Sequence, residues 1–439
     1  MKNIASLFRP LFLWLCILFP LQAEVQVIKN NIVPNRIRSM IVVLSADWVG
    51  QIPPSGRVNG PESLTTLYPG QKVALALIAE GPERDKLLNG LNLHLRFSSP
   101  TKGVSEQHDL KPAAIRPIKA EGADIAILML KAGGIAQQDQ AYLEKATSLV
   151  TFAVFLPEWT APIVNQAEEV HIAVTISGIP LVTTIEPVSI KVRPAADWLN
   201  DPSPSREEIG KYMTRYHEDL SPGRLLSLLK AVASYDDIIK VPPVCCFFVI
   251  AYKENLAARN TAIDLFPSLD QKTQNVLLLI LQMGGQDVSS LFPMLPVGPV
   301  ASLKTVDTQE DPRNLPHFKG PVEPESVRKV GIIMDQCWAG WMATGDRSYL
   351  RALVGLLEGA EDFPAFQSWT NTRGGVNGLT AQVASGLAYQ IAGWSLGSFQ
   401  RTDPHVADWL LFWENDPAFP ALLRNEIASL PNNPAFRRK

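Results

Sequence analysis

The chain has 439 residues, 40 basic against 43 acidic, a net charge of −3, 46% hydrophobic and 19% charged residues. So even a balance excludes the basic footprint that a nucleic-acid partner requires. The length exceeds what one hydrophobic core covers, so two or three domains are expected.

The first element is MKNIASLFRPLFLWLCILFPLQA, residues 1–23. Lys2 and Arg9 make a basic start, Leu11 to Leu21 form an apolar run, and small Ala23 precedes polar Glu24. This is the layout of a secretory signal peptide, and the run is shorter than the roughly 20 residues that cross a bilayer. Cys16 follows bulky Leu15 where a lipoprotein signal wants a small residue. A secreted or periplasmic protein is therefore expected. Its mature form has 439 − 23 = 416 residues and a net charge of 38 − 43 = −5. Cys245, Cys246 and Cys337 remain, an odd number that leaves at least one thiol unpaired. Three small buried hydrophobes are expected, with a bridge from Cys337 to Cys245 or Cys246 as the alternative.

Residues 24–195 alternate with period two. VALALIAE (Val73–Glu80), LNLHLRF (Leu91–Phe97), DIAILML (Asp124–Leu130), SLVTFAVF (Ser148–Phe155) and VHIAVTI (Val170–Ile176) are separated by turn residues such as Pro69-Gly70 and Gly133-Gly134. In the last of these, Val170, Ile172, Val174 and Ile176 alternate with polar or small neighbours, as one buried face requires. About eight such strands predict an antiparallel β-sandwich of immunoglobulin-like type, without the Cys-Trp-Cys pattern of antibody domains. The whole chain is thus expected to be α+β in separate domains.

Residues 196–205 read as a linker, and residues 206–439 as an all-α domain of helical hairpins. Ser205 with Glu208 spells a capping box, and Ser221-Pro222 opens a second helix. Further helices are predicted over Val244–Glu254, Asn260–Phe266, Asp270–Met283, Glu325–Ala343, Asp346–Glu358, Leu379–Arg401, Pro404–Asn415 and Pro417–Ser429. Between them, residues 292–324 hold seven prolines (293, 296, 299, 312, 316, 321 and 324) and read as a long loop. The longest apolar stretches, Val244–Tyr252 and Val276–Met283, suit buried helices rather than membrane spans. The succession of hairpins resembles superhelical arrays of the tetratricopeptide or HEAT kind, although no consensus recurs at fixed period.

At 100° per residue, Val330, Met334, Cys337, Trp338 and Trp341 fall on one apolar stripe, with Asp335 on its flank. Thr344-Gly345 ends that helix, Asp346 caps the next, and its stripe is Tyr349, Leu350, Leu353, Leu356 and Leu357, closed by Gly359. Two apolar faces set to close on each other account for nearly every residue. Asp335 fits least well, since a carboxylate buried near a tryptophan has a raised pKa.

Catalytic signatures are sparse. No two of His94, His108, His171, His217, His317 and His405 share a helical turn, so neither a metal site nor a cofactor is expected. No nucleophile elbow occurs, and Gly374–Gly378 lacks the lysine-serine ending of a phosphate loop. Glu325-Ser326, opening a helix, resembles the Glu-Ser pair of lytic transglycosylases without their glycine-rich continuation. Asp335 and Glu325 are the candidate catalytic carboxylates, and Trp338, Trp341 and Trp369 the candidate binding residues. The expected function is non-catalytic: an exported soluble protein acting through contacts with a protein partner in the envelope or outside the cell. The alternative is a glycan-active hydrolase, or a glycan-binding protein, with a β-sandwich and an (α/α) architecture.

Overall fold

The computed structural model describes residues 38–45, 58–59, 64–81, 92–98, 105–110, 114–120, 123–129, 150–155, 159–161, 164–177, 188–235, 242–294, 311–314, 324–372 and 378–436. The expected signal segment, 1–23, lies outside them, as do Gly374–Asn377. Two compact units divide the chain, Ala23–Asp201 and Pro202–Lys439.

The first unit contains β1 (Arg38–Ser45), β2 (Val58–Asn59), β3 (Thr66–Leu67), β4 (Lys72–Gly81), β5 (Asn92–Ser98), β6 (Ser105–Leu110), β7 (Ala114–Ala120), β8 (Ala123–Met129), β9 (Val150–Phe155), β10 (Trp159–Thr160), β11 (Glu168–Ser177) and β12 (Val188–Val192). They pair in the orders β1-β4-β9-β8-β7-β2, with β10 on β4, and β3-β12-β11-β5-β6. The expected antiparallel, immunoglobulin-like sandwich is corrected here: the described residues are mostly helical and show no antiparallel β-sandwich. Both pairing orders are mixed, since β8 runs parallel to β9, β2 to β7 and β3 to β12. Where side chains are described, what remains is a small mixed sheet of β3, β12 and β11. Alternation shows that a run is extended with one buried face but carries nothing about the direction of its neighbour. The long connection 130–149 between β8 and β9 is the sort that a parallel pair requires.

Alternation itself is visible in the small sheet. Val170 and Ile172 of β11 are buried, as are Ile190 and Val192 of β12, while Ser189 and Lys191 face outward. Val170 stands opposite Ile190 in the antiparallel register. Just beyond β12, Arg193 forks onto Asp201 at 2.7 and 2.9 Å and lies over the Trp198 ring, which closes this unit around a short helix, α1 (Ala195–Trp198).

In the second unit α2 (Arg206–Arg215) starts on the predicted capping box: the Ser205 hydroxyl accepts from Glu208 N, and the Glu208 carboxylate accepts from Ser205 N at 2.7 Å. Ser205→Ala is expected to cost about 1 kcal/mol. A urea titration should show it as a lower midpoint with an unchanged slope. The chain continues through α3 (Pro222–Ser234), α4 (Pro242–Glu254), α5 (Leu256–Asp264), α6 (Gln271–Met283), α7 (Pro324–Thr344), α8 (Arg347–Gly355), α9 (Phe363–Asn371), α10 (Ala381–Thr402), α11 (Pro404–Asn415) and α12 (Ala421–Ser429).

Three differences from the sequence-based expectation have physical causes. Helix α5 begins four residues early because the Asn255 side chain caps it, accepting from Ala258 N at 3.0 Å. Residues Leu356–Asp362 wind as a 3-10 segment, and α9, which the periodicity does not announce, follows with Pro364 in its first turn. Gly359 does not end a helix. A Cβ there would lie 2.6 Å from Ser385 O of α10, so the glycine permits backbone-close packing. A 3-10 turn, Ser289–Met294, runs into the start of the predicted proline-rich loop 292–324. Residues 311–314 are tacked down by Arg313 on Asp311 and Asp346, and by Cys337 Sγ donating to Pro312 O.

Helix α7 packs chiefly on α4, and α10 packs on the Leu356–Asp362 segment, α9 and α11. Along α7 the whole stripe Val330, Met334, Cys337, Trp338 and Trp341 is buried. Gly345, with φ 67°, turns the chain into α8, which Asp346 caps. The 3-10 turn after α2 also packs on α7, far along the chain. A superhelical array joins neighbours only, so the analogy with repeat arrays gives way to a bundle closed by long-range contacts. The three described cysteines are free and buried, and burial pushes their thiols up to about 11 for Cys245 and about 12 for Cys246 and Cys337. Among the described residues no helix is long and apolar enough to cross a membrane.

Candidate functional site

Two groups of ionisable side chains stand out in the helical unit, the buried Asp335 and a cluster of His217, Glu218 and His405 in which Glu218 is partly exposed. The first is Asp335, which α7 turns into the bundle. It is buried, and its Oδ2 has no hydrogen-bond partner. Burial alone pushes its carboxyl up to about 8, so at neutral pH it is mostly the uncharged acid. Its charge, when present, bears on the Cys246 thiol of α4, to which neighbouring Gln336 hydrogen-bonds.

Glu325 stands ten residues earlier on the same helix. That spacing is about 15 Å along the axis and about 80° around it. The two residues therefore start from backbone positions about 15 Å apart along α7. Trp338 stacks on Phe399 of α10, with centroids 3.9 Å apart and planes 16° from parallel. Trp341 is fully buried, whereas Trp369 on α9 remains half-buried, its ring beside Phe366 and against Gly378.

The second group was not legible as a cluster in the sequence. Helix α2 ends in the 3-10 turn Tyr216–Glu218, and Tyr216 anchors that turn by setting its ring edge-on to Phe247 of α4. His217 is thereby pushed inward to 1% exposure. Its ring lies 5.0 Å from Trp341 and 5.6 Å, nearly perpendicular, from His405. His405 comes from the first turn of α11, where Pro404 occupies the opening position and Asp403 is the cap.

One oxygen of Asp403 accepts from His405 N and Val406 N, and the other accepts from Trp341 Nε1 at 3.2 Å. A single carboxylate thus caps α11 and ties it to α7. Glu218 is gripped by Arg215, whose Nη2 lies 2.8 Å from Oε2 and whose Nε lies 3.0 Å from Oε1. The Oε1 atom also stands 3.7 Å from His405 Nε2.

Neither ring nitrogen of His217 has a hydrogen-bond partner. A buried polar group left so costs roughly 1–3 kcal/mol. Burial drives its pKa down to about 4, against the pull of Asp403 and Glu218, so the imidazole stays neutral. One donor atom each from His217, Glu218 and His405 lies within 4.8 Å of the other two. Two imidazoles and a carboxylate so placed can hold a cation or pass a proton.

Of the sequence-derived candidates, Trp341 lies against this cluster. His217 and His405 are 405 − 217 = 188 residues apart. The available signals were the dipeptide His217-Glu218 just after α2 and the capped start Asp403-Pro404-His405, neither of which reveals the other. No family model matches the chain, and no curated protein or solved structure matches it either.

Proposed function

We propose that this is an exported protein that works by binding rather than turnover, through contacts with a protein partner in the envelope or outside the cell. The observation that carries this reading is the burial of Asp335, Trp338 and Trp341 in the bundle core. Glycoside hydrolases work with two carboxyl groups roughly 5–9.5 Å apart. Asp335 and Glu325 are separated by about 15 Å of one helix. Asp335 is moreover enclosed in packing, away from any open face. Trp338 and Trp341 serve the bundle core instead of a sugar-stacking surface.

The test is to incubate the purified protein with isolated cell-wall polysaccharide, then measure sugar in the supernatant and protein in the pellet. No sugar release above the protein-free control is expected, together with a discrete cross-linked partner in envelope extracts. Released sugar would overturn the reading. A second reading, glycan binding, is favoured by Trp369, which keeps part of its ring exposed on α9. It predicts that the protein pellets with polysaccharide and that Trp369→Ala abolishes pelleting while leaving the thermal midpoint nearly unchanged.

A further inference from the structure

We infer that His217, Glu218 and His405 form a binding site for one divalent first-row transition ion of the zinc class. The donor set is the first argument: two imidazoles and one carboxylate suit Zn²⁺ and its neighbours. A hard cation such as Ca²⁺ would instead ask for six or more oxygens.

The second argument is independent of the set's composition. His217 is enclosed in the bundle with both ring nitrogens unpartnered, and its ring lies 5.6 Å from that of His405. A metal bond would satisfy a nitrogen that the protein leaves unsatisfied.

The distances fit without refolding. Ligand bonds of about 2.0–2.2 Å in a tetrahedral site set neighbouring donor atoms about 3.3 Å apart. The three atoms already lie within 4.8 Å of one another, and Glu218 Oε1 is 3.7 Å from His405 Nε2. Closing the remainder takes side-chain rotation of about 1.5 Å at most.

Glu218 and Asp403 place negative charge beside His217, opposed by Arg215 and His405. Arg215 holds both carboxylate oxygens, with its shortest contact to Oε2, and Oε1, which accepts from Nε at 3.0 Å, keeps a further lone pair for the ion on the side of His405. Its grip on Oε2 would orient Glu218 for the ion, as outer hydrogen bonds do for metal-binding carboxylates.

Asp403 has both oxygens committed to α11 and Trp341. It therefore holds His405 in place without being a ligand. Three protein ligands leave a fourth position for water or an anionic group. The ion would join the end of α2 to the start of α11, tying an early helix to a late one.

The test uses the full chain, stripped with a chelator and dialysed, then titrated with Zn²⁺ and separately with Co²⁺. One ion per chain is expected, with a visible Co²⁺ band of tetrahedral or five-coordinate intensity. The thermal midpoint should rise by roughly 5–10 °C when free zinc is about a hundred times Kd. Glu218→Gln and His405→Gln, both close in size to the native side chains, should each weaken binding at least tenfold and remove most of the thermal shift.

His217→Phe keeps an aromatic ring in the core. It should fold without zinc and lose the zinc response. The competing account is an ordinary ion pair between His405 and Glu218 beside a packed His217. It is established, and the metal site overturned, if zinc causes no shift. It is equally established if the shift and the Co²⁺ band survive in all three variants, since surface groups or the thiols would then be binding the ion.

Discussion

Trp338→Ala is expected to cost the helical unit roughly 3–5 kcal/mol, as deletion of a buried tryptophan does. The ring is stacked on Phe399 and belongs to the buried stripe of α7. It therefore supports the seam with α10 as well as its own helix. Domain stabilities are about 5–15 kcal/mol, so the substitution takes a large share. In a unit of this size the thermal midpoint should fall by roughly 6–20 °C. One feature softens the loss: Trp338 Nε1 has no hydrogen-bond partner, and its removal ends that cost. Trp338→Phe, which keeps the stacking and discards the unpaired N–H, should accordingly be much milder. Far-ultraviolet ellipticity followed through urea titration checks both. Equal midpoints for Trp338→Ala and the native protein would show that the stack contributes nothing.

The second large effect concerns pH. The Asp335 carboxyl is pushed up to about 8 in the folded chain, and burial is the cause. In the unfolded chain it titrates near the ordinary aspartate value of about 3.9. Below pH 4 both forms carry the proton, and the group does not disfavour folding. As pH rises, the unfolded chain releases its proton and the folded chain does not. Stability therefore falls by on the order of 1.4 kcal/mol per pH unit up to about pH 8, where the loss levels off. Asp335→Asn removes the titration. Its urea midpoint should match the native protein near pH 4–5 and exceed it clearly at pH 8. Parallel midpoints for the two proteins across that range would rule out a buried, uncharged Asp335. The same variant bears on function: under a binding role it keeps partner capture intact, whereas a hydrolase using Asp335 would lose turnover.

Much of the helical unit could be read from the chain because its signals are local. The Ser205–Glu208 box, the Ser221-Pro222 start and the Asp346 cap act within three or four residues, and each side chain makes the bond that its spacing implies. The α7 stripe was likewise legible, because a helix that buries one face must repeat apolar residues at 3.6. Capping by Asn255 has the same local character but was masked by the weak amphipathicity of α5. In the first unit, alternation marked β11 for the same reason, with Val170 and Ile172 on the buried face.

What period two leaves open is which strands meet and in which direction. β8 beside β9, β2 beside β7 and β3 beside β12 are parallel. Strand direction is decided by how connections cross, which no run of eight residues contains, so an antiparallel sandwich was the wrong architecture.

The ionisable clusters divide along the same line. The helical wheel put Asp335 on the flank of the apolar stripe and left its burial open. How far burial shifts it depends on what α4 and α7 exclude between them. His217 and His405 looked like solitary histidines because their shared site exists only where the end of α2 meets the start of α11. Composition, caps and periodicity, all properties of neighbouring residues, determined most of the helices and their buried faces. Only the tertiary structure decided strand direction, the sealing of Asp335 and the meeting of two histidines with Glu218, because each depends on contacts between segments far apart in the chain.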